Sequence, residues 1–227
     1  MKEPSDAAQV IGPVERVLKL LTCFHAQNNG MSLTELAHQA DLVPSTTSRL
    51  LKVLEQYGFV RRGPDRLYYL GSQVIQLGLI ALHSMSLYEV AKPHLRMLAE
   101  ETGESVQLGV LEGDDVLYID QVASPRLVQA TPWIGRTVPV VNTAIGAAIQ
   151  GHLSPEGYTT ARHTIEPDVS SVAAPVFDHH RAIIGAINVI GPTYRIPDDV
   201  LAQIGSLVVK HAQQVSNKLG ATAYERA

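Results

Sequence analysis

Apolar residues recur every three or four positions in three segments near the start of the chain, which predicts amphipathic helices over residues 13–24, 32–40 and 45–57. The predicted buried positions are Val14, Val17, Leu18 and Leu21; Leu33, Leu36, Ala37 and Ala40; and Leu50, Leu51, Val53, Leu54 and Tyr57. Pro13 suits a first helical turn, and Ser32 with Glu35 has the spacing of a capping box. Residues 41–44 then form a turn between the second and third helices.

A cationic hairpin is predicted after the third helix. The segment FVRRGPDRLYYL, residues 59–70, places two short strands around Gly63, Pro64 and Asp65. Three helices with a tight turn between the second and third, followed by a hairpin, are typical of a winged helix-turn-helix. We therefore predict this fold for residues 1–70.

The rest of the chain predicts a linker helix and a second domain. Residues 71–84 are apolar on nearly every side, so we expect a linker helix over 71–86 that a second subunit covers; burial within one subunit is the alternative. The pattern over 87–227 predicts a helix from Leu87, hairpins over 105–123 and 171–192, a strand over 127–131, a small-residue helix near Ala144 and a closing helix over 198–219. This order predicts an α+β domain with an antiparallel sheet.

Composition places the chain among globular proteins. It has 227 residues, of which 45% are apolar and 18% charged, enough for one domain of ordinary size and a smaller one. The longest apolar stretch, residues 74–85, is too short to span a bilayer, and the first residues have no secretory pattern. We therefore expect no membrane partner and a cytoplasmic location. Cys23, the one cysteine, is expected to fill a helix core in a reducing compartment.

Positive charge is concentrated in the predicted winged helix-turn-helix. The net charge of the chain is −4, but residues 49–66 contain five Lys or Arg against two Asp or Glu. On the third helix, Thr46 is predicted to point inward and Thr47 to lie at the edge of an outer face of hydroxyls and cations. Such a face suits the major groove of double-stranded DNA, and hairpin cations suit phosphates or a minor groove. The predicted DNA-binding residues are Ser45, Thr47, Ser48, Arg49, Lys52, Arg61, Arg62 and Arg66. A solvated helix face beside a charged hairpin is the alternative.

Catalytic and metal sites are not indicated. The nine histidines lack a framework of cysteines or carboxylates at ligand spacing, and the adjacent His179 and His180, on a predicted hairpin turn, are not expected to converge on one side. The sequence has neither a Gly-x-Ser-x-Gly elbow nor a phosphate-binding glycine loop. We therefore expect no enzymatic activity, no metal and no cofactor.

Several sequence blocks, in order, resemble the isocitrate lyase regulator (IclR) family of bacterial transcription factors. The blocks are VERVLKLLTCF, SLTELAHQADLVPSTTSRLLKVLEQYGFV, YYLG, AKPHLRMLAEETGESVQLGVLEGDDVLYIDQV, GRTVPVVNTAIG, AAPVFD and AINVIGP. The resemblance implies a winged helix-turn-helix, a linker helix and a GAF-like C-terminal domain that binds a small organic effector, usually a metabolic acid or an aromatic catabolite. It also implies a homodimer or a dimer of dimers. A ligand-independent DNA-binding or protein-interaction module is the alternative function.

The resemblance implies where the effector binds. Carried over one position at a time, the effector residues are Ala144, Ile145, Ser171, Asn188 and Ile190, with Trp133 as an apolar wall or, alternatively, as core packing. From the residues themselves, a helix beginning near Thr143 exposes N–H groups that favour a carboxylate, and Asn188 offers it a donor. Tight packing of this helix on the sheet, with no cavity, is the alternative.

The chain also departs from the family pattern. Gly146 is followed by Ala147 where the family has a lysine, Ser171 stands where a cysteine is common, and Asn188 and Ile190 replace serines. Residues 152–170 are shorter than the segment that covers the pocket in the family, so the resemblance does not extend to the lid of the pocket.

Overall fold

The computed structural model describes residues 12–24, 30–84, 86–164 and 166–221. The chain divides into two compact units, Met1–Leu82 and His83–Ala227. Among the residues described, no single helix is long and apolar enough to cross a membrane; only the bent pair Ser72–Ala81 and Ser86–Thr102 reaches that length and composition together.

The first unit contains the predicted helices and hairpin. Its elements are α1 (Pro13–Thr22), α2 (Leu33–Gln39), α3 (Pro44–Gln56), β1 (Val60–Arg62), β2 (Tyr68–Leu70) and α4 (Ser72–Ser84), which crosses the division between the units. β1 and β2 are antiparallel, and Tyr68 also exchanges backbone hydrogen bonds with Met31 before α2. The predicted capping box is confirmed, since Ser32 and Glu35 bond each other's backbone N–H. The hydrogen bond that the Glu35 carboxylate accepts from the Ser32 N–H lowers the pKa of Glu35.

The core of the first unit is formed by one narrow stripe from each of α1, α2 and α3, together with Met31 and residues of the hairpin. Its buried members are Leu20, Cys23, Met31, Leu36, Ala40, Leu51, Leu54, Val60 and Tyr68. The prediction was wrong for Val14 and Leu18, whose side chains are 73% and 57% exposed, and for Val53 and Tyr57, which are 49% and 67% exposed. These apolar stripes are wider than the surface that two neighbouring helices can cover, so their outer edges stay in solvent.

The second unit is an α+β domain, as predicted. Its elements are α5 (Ser86–Thr102), β3 (Ser105–Glu112), β4 (Asp115–Val122), β5 (Thr137–Pro139), α6 (Ala144–Ile149), β6 (Thr159–Arg162), β7 (Val169–Phe177), β8 (Ile183–Pro192), a 3₁₀ turn (Thr193–Arg195) and α7 (Asp198–Lys218). The strands form one antiparallel sheet in the order β5-β4-β3-β8-β7-β6. α6 packs on the face that carries Ala173 and Ala186, and α5 and α7 pack on the opposite face.

The predicted strand over residues 127–131 is absent. Leu127 is fully exposed, and the carbonyl groups of Val128 and Thr131 accept hydrogen bonds from the side chains of Arg195 and Gln121. These two backbone carbonyls therefore bond side chains instead of the backbone of a neighbouring strand. The short edge strands β5 and β6 were not predicted, because each has too few apolar positions for a visible alternation.

A nearly buried ion pair between Arg195 and Glu104 links three segments of the second unit. Arg195 donates through Nε and Nη2 to the two carboxylate oxygens of Glu104, each at 2.6 Å, and Nη2 also donates to the Val128 carbonyl at 3.0 Å. The side chains of Arg195 and Glu104 are 12% and 4% exposed. The pair therefore joins the residues after α5 to the 3₁₀ turn and to the loop that contains Val128.

Two buried histidines lie between α5 and α7. Lys218 Nζ is 3.0 Å from His94 Nε2, and His94 Nδ1 is 3.3 Å from His211 Nδ1. Because an ammonium group can only donate, His94 carries its proton on Nδ1 and donates it to His211. Burial lowers the pKa of both imidazoles, and the charge of Lys218 lowers that of His94 further.

Candidate functional site

The outer face of α3 carries the predicted hydroxyls and cations. Ser45, Ser48, Arg49 and Lys52 are exposed, whereas Leu51 on the opposite side is completely buried. Pro44 occupies the first turn of the helix, where its missing N–H costs nothing. α3 therefore presents short donors near its N-terminus and long cations in its middle.

Thr47 does not belong to this face, which corrects the prediction. Its side chain is completely buried, and its hydroxyl donates to the Val43 carbonyl at 3.2 Å, while Thr46 is only half-buried. A threonine can be buried in this way because its hydroxyl finds an acceptor one turn back in its own helix. Thr47 therefore supports the packing of α3 and does not lie on its outer face.

The hairpin carries its two strand arginines on opposite faces. The guanidinium carbon of Arg61 lies 4.4 Å from the centre of the Tyr69 ring, and that of Arg62 lies 5.6 Å from the Tyr68 ring. Each arginine is opposite its tyrosine in the strand register, and both arginines are exposed. Stacking on a ring restricts the side chain while leaving its N–H groups available.

The hairpin turn is held by an aspartate beside a third arginine. Asp65 accepts a hydrogen bond of 2.6 Å from the Tyr69 hydroxyl and another of 3.1 Å from the Leu67 N–H, and both bonds lower its pKa. Arg66 follows with φ +65°, in the left-handed region, and is exposed. Among the residues that the structure describes, no ion pair joins a carboxylate to Arg49, Lys52, Arg61, Arg62 or Arg66.

The beginning of α6 is closely packed. Ala144 and Ile145 are 2% and 1% exposed, and a Cβ at Gly146 would lie 2.0 Å from the Val140 carbonyl oxygen. Thr143 accepts a hydrogen bond from the Gly146 N–H and donates to the Pro139 carbonyl. The helix has only six residues, so its dipole is small. These features do not support the predicted carboxylate on its N–H groups, and they place Ala144 and Ile145 in the core.

Asn188 lies on the α6 side of the central strand β8. It is 2% exposed, and its Nδ2 donates to Gln107 Oε1 at 3.0 Å. Its Oδ1 has no hydrogen-bond partner among the residues described. The donor role of Asn188 stays a prediction, since Nδ2 has two N–H groups and only one of them bonds Gln107, while Oδ1 is the atom without a partner.

Ser171 and Ile190 are half-buried neighbours on the same face as Asn188. They are opposite each other in the register of β7 and β8, and Ala161 of β6 is opposite Ser171 on the other side. The row Ile190, Ser171 and Ala161 thus runs from the centre of the sheet to its edge.

Trp133 packs against the core and also hydrogen-bonds to Gln121 and Thr131. Its ring packs edge-on against Tyr118, with 6.0 Å between ring centres, and burial raises the pKa of Tyr118. Its backbone N–H donates to Gln121 Oε1 at 3.0 Å, and its indole N–H donates to the Thr131 hydroxyl at 3.2 Å. The ring is half-buried, so one part of it faces solvent.

A cavity of about 570 Å³ lies beside α6 and β6. Its lining residues are Val140, Val141, Asn142, Thr143, Ala147, Gln150, His152, Thr160, Ala161, Arg162 and Thr164. None of the six predicted effector residues is among them, but Ala161 is directly paired with Ser171. Sequence reasoning missed this lining because much of it comes from the segment after α6, where the chain departs from the family pattern. Among the described residues, no group of three or more His, Cys, Asp or Glu could hold a metal.

Two family models match this chain. The IclR helix-turn-helix domain matches residues 13–64, and the model described as bacterial transcriptional regulator IclR C-terminal matches residues 79–156 and 151–217. The chain belongs to the IclR family. It is therefore a DNA-binding transcriptional regulator, and the predicted winged helix-turn-helix with a C-terminal α+β domain is confirmed.

Relatives within the IclR family align along nearly the whole chain. The acetate operon repressor of Salmonella typhimurium is 32% identical, and the match covers 97% of this chain and 96% of the relative. The transcriptional repressor IclR of Escherichia coli is also 32% identical, with 90% and 89% covered. An IclR homolog from Microbacterium hydrocarbonoxydans, solved in complex with 4-hydroxybenzoate, has a TM-score of 0.82 at 20% identity, with 92% and 99% covered. These relatives are regulators rather than enzymes, and the solved structure shows the shared fold.

Proposed function

We propose that this regulator binds its double-stranded operator through the outer face of α3 and the hairpin. Ser45, Ser48 and Arg49 contact base edges and nearby phosphates, and Lys52 contacts the backbone. The hairpin residues Arg61, Arg62 and Arg66 contact flanking phosphates or the minor groove. The observation that supports this best is that all five cations are exposed and form no ion pair with a described carboxylate.

The salt dependence of operator affinity tests the DNA interface. An operator is first selected from random duplex DNA with the full chain, and its affinity is then measured by fluorescence anisotropy at several salt concentrations. Five phosphate contacts per subunit predict a slope of log K against log salt of about −4 to −5 for each half-site. A flat dependence would instead favour a protein-interaction module with an apolar docking surface.

We also propose that residues 87–227 bind a small organic effector, a carboxylic acid or an aromatic catabolite, in the cavity beside α6 and β6. The cavity at β6 and the half-buried row that leads from Ala161 to Ser171 and Ile190 support this location. The complex of the Microbacterium homolog with 4-hydroxybenzoate supports the chemical class. The effector domain, the linker over 71–86 and the DNA-binding domain over 1–70 then form one allosteric chain, with a coupling of about 1–3 kcal/mol.

The alternative is a DNA-binding module that no ligand controls. The two functions differ in one measurement, the operator affinity in the presence of a panel of small acids. Effector control predicts that at least one acid changes the affinity by about fivefold or more. If no small molecule changes it, the ligand-independent alternative is favoured.

The regulator is proposed to act as a homodimer or a dimer of dimers through α4. The large apolar side chains of Ile75, Leu77 and Ile80 are 62%, 47% and 68% exposed in the single chain, which suits a surface covered by a second copy. A dimer would also allow two half-sites of an operator to be read together. Sedimentation equilibrium of the full chain measures this directly.

The remaining parts of the proposal concern location and chemistry. A regulator of this kind acts in the cytoplasm, where the operator DNA is, with no membrane, metal or cofactor and without enzymatic activity.

A further inference from the structure

Tyr69 has a large aromatic side chain that the core of the first unit does not use. It follows Tyr68 on β2, and Tyr68 is buried in that core. Because successive residues of a strand point to opposite sides, the half-buried Tyr69 lies on the other side of β2. Among the described residues, the side chains that form the core or pack against it do not include Tyr69. Its contacts are therefore with other parts of the unit.

The Tyr69 ring lies against the backbone of two glycines. A Cβ added at Gly30, before α2, would be 2.7 Å from Tyr69 Cζ, and a Cβ added at Gly63, in the hairpin turn, would be 2.7 Å from Tyr69 Cε2. Real side-chain carbons do not approach so closely, so the ring fits there only because neither residue has a Cβ. Backbone hydrogen bonds between Tyr68 and Met31 join the same two segments. The ring is therefore held between the hairpin turn and the segment that precedes α2.

Two charged side chains of the hairpin contact Tyr69. Its hydroxyl donates to Asp65 Oδ2 at 2.6 Å, and the bond raises the pKa of Tyr69. The other carboxylate oxygen of Asp65 accepts from the Leu67 N–H at 3.1 Å, so the carboxylate is fixed to the turn. The guanidinium carbon of the exposed Arg61 lies 4.4 Å from the centre of the Tyr69 ring. Asp65 and the two glycines therefore fix the ring, and the ring fixes Arg61.

We propose that Tyr69 is a positioning residue for DNA binding, which holds Arg61 in the conformation that contacts the operator. This inference rests on the proposed DNA interface of the hairpin. An arginine that is free in solution loses rotamer freedom when it binds DNA, whereas one already held against a ring loses less. A guanidinium stacked on an aromatic ring keeps the N–H groups at its edge for phosphates or bases. Tyr69 thus increases affinity through Arg61, without a contact of its own to DNA.

A double-variant cycle on the full chain tests the proposal. The affinity for the operator duplex selected from random DNA is measured by fluorescence anisotropy for the unchanged protein, Arg61→Ala, Tyr69→Leu and the variant with both changes. Tyr69→Leu should weaken binding about two- to tenfold, because Arg61 then loses its rotamer freedom on binding. In the Arg61→Ala background the same change should weaken binding less than about 1.5-fold, since the cation through which Tyr69 acts is gone.

Further variants separate the ring from the hydroxyl and from folding. Tyr69→Phe keeps the ring beside Arg61 and loses only the bond to Asp65, so it should restore most of the affinity that Tyr69→Leu loses. Tyr57→Leu changes a tyrosine of the same unit that is 67% exposed, and it should bind like the unchanged protein. If circular dichroism shows that Tyr69→Leu is poorly folded, Tyr69→Val, a residue that strands favour, takes its place in the cycle.

Three results would overturn the inference: unchanged or tighter binding by Tyr69→Leu, an equal loss from this change with and without Arg61, or a loss in Tyr69→Phe as large as in Tyr69→Leu. An equal loss in both backgrounds would mean that Tyr69 only supports the fold. If Arg61→Ala binds the operator more weakly but one of these results is found, the hairpin interface is retained and only the role of Tyr69 is rejected. If Arg61→Ala binds as tightly as the unchanged protein, the contact of Arg61 with DNA is rejected, and the role of Tyr69 with it.

Discussion

Removing the cation of the Glu104–Arg195 pair should destabilise the second unit strongly. In an Arg195→Met variant the apolar stem is retained, but Glu104, with a side chain that is 4% exposed, loses two charge-assisted hydrogen bonds of 2.6 Å. Breaking a buried pair from one side typically costs about 3–5 kcal/mol, because an uncompensated charge remains. For a unit of this size, that cost lowers Tm by about 6 to 20 °C.

The control is a second arginine near the same carboxylate. Arg126 Nε lies 4.0 Å from Glu104 Oε1, and the Arg126 side chain is 54% exposed. Because water screens this contact, Arg126→Ala should cost at most about 1 kcal/mol. Differential scanning calorimetry of both variants, beside the unchanged protein, measures the contrast.

A double variant separates the charge from the packing. Replacing both partners in Glu104→Leu with Arg195→Met leaves no buried charge, so the double variant should be more stable than Arg195→Met alone. If Arg195→Met unfolds within about 2 °C of the unchanged protein, the ion pair does not stabilise the unit. The same conclusion follows if the double variant is less stable than both the unchanged protein and Arg195→Met.

Three further predictions concern DNA binding, assembly and pH. Arg49→Ala should cost about 1–3 kcal/mol of operator affinity and relax one base position, whereas Arg62→Ala should weaken binding to all sequences and reduce the salt slope by about one; unchanged affinity in both would reject the interface. Ile80→Asp should shift sedimentation towards the monomer if a second copy covers α4, and an intact assembly would place that side chain in solvent. The pKa of His94 and His211 is lowered in the folded state, so the unfolded chain binds more protons below its ordinary histidine pKa of about 6.5. Stability should therefore fall as pH is lowered through that value, with a smaller fall in His211→Gln.

Periodicity predicted the helices but not which residues at the edges of each stripe are buried. Val14 and Leu18 continue the apolar spacing of α1 but are exposed, while Leu20, one position from the predicted stripe, is completely buried. Thr46 and Thr47 differ by only 100° around α3, and nothing in their shared chemistry distinguishes them. The hydrogen bond from Thr47 to the Val43 carbonyl appears only when α3 and its neighbours are packed.

The sequence predicted which residues of the candidate ligand site share a face of the sheet, but it did not predict the cavity. Ser171, Asn188 and Ile190 do share one face of the sheet, since alternation along β7 and β8 and the hairpin register fix their positions. The cavity at β6 was missed because Thr160 and its neighbours form a short strand at the edge of the sheet, paired with β7. Edge strands of four residues have no apolar alternation that distinguishes them from a loop.

The hydrogen-bonding role of Asn188 depends on residues far from it in the chain. An asparagine in isolation offers a donor and an acceptor equally, and the carboxylate-binding role predicted from sequence used the donor. In the folded unit, the Thr131 carbonyl and the Trp133 N–H orient Gln121, Gln121 orients Gln107, and Gln107 Oε1 accepts one of the two N–H groups of Asn188. The loop that contains Thr131 was predicted as a strand, in which its carbonyl would have faced another strand instead of Gln121. The sequence could not show that one N–H of Asn188 is bonded to Gln107, because the Thr131 carbonyl contacts Gln121 only where this loop is not paired as a strand.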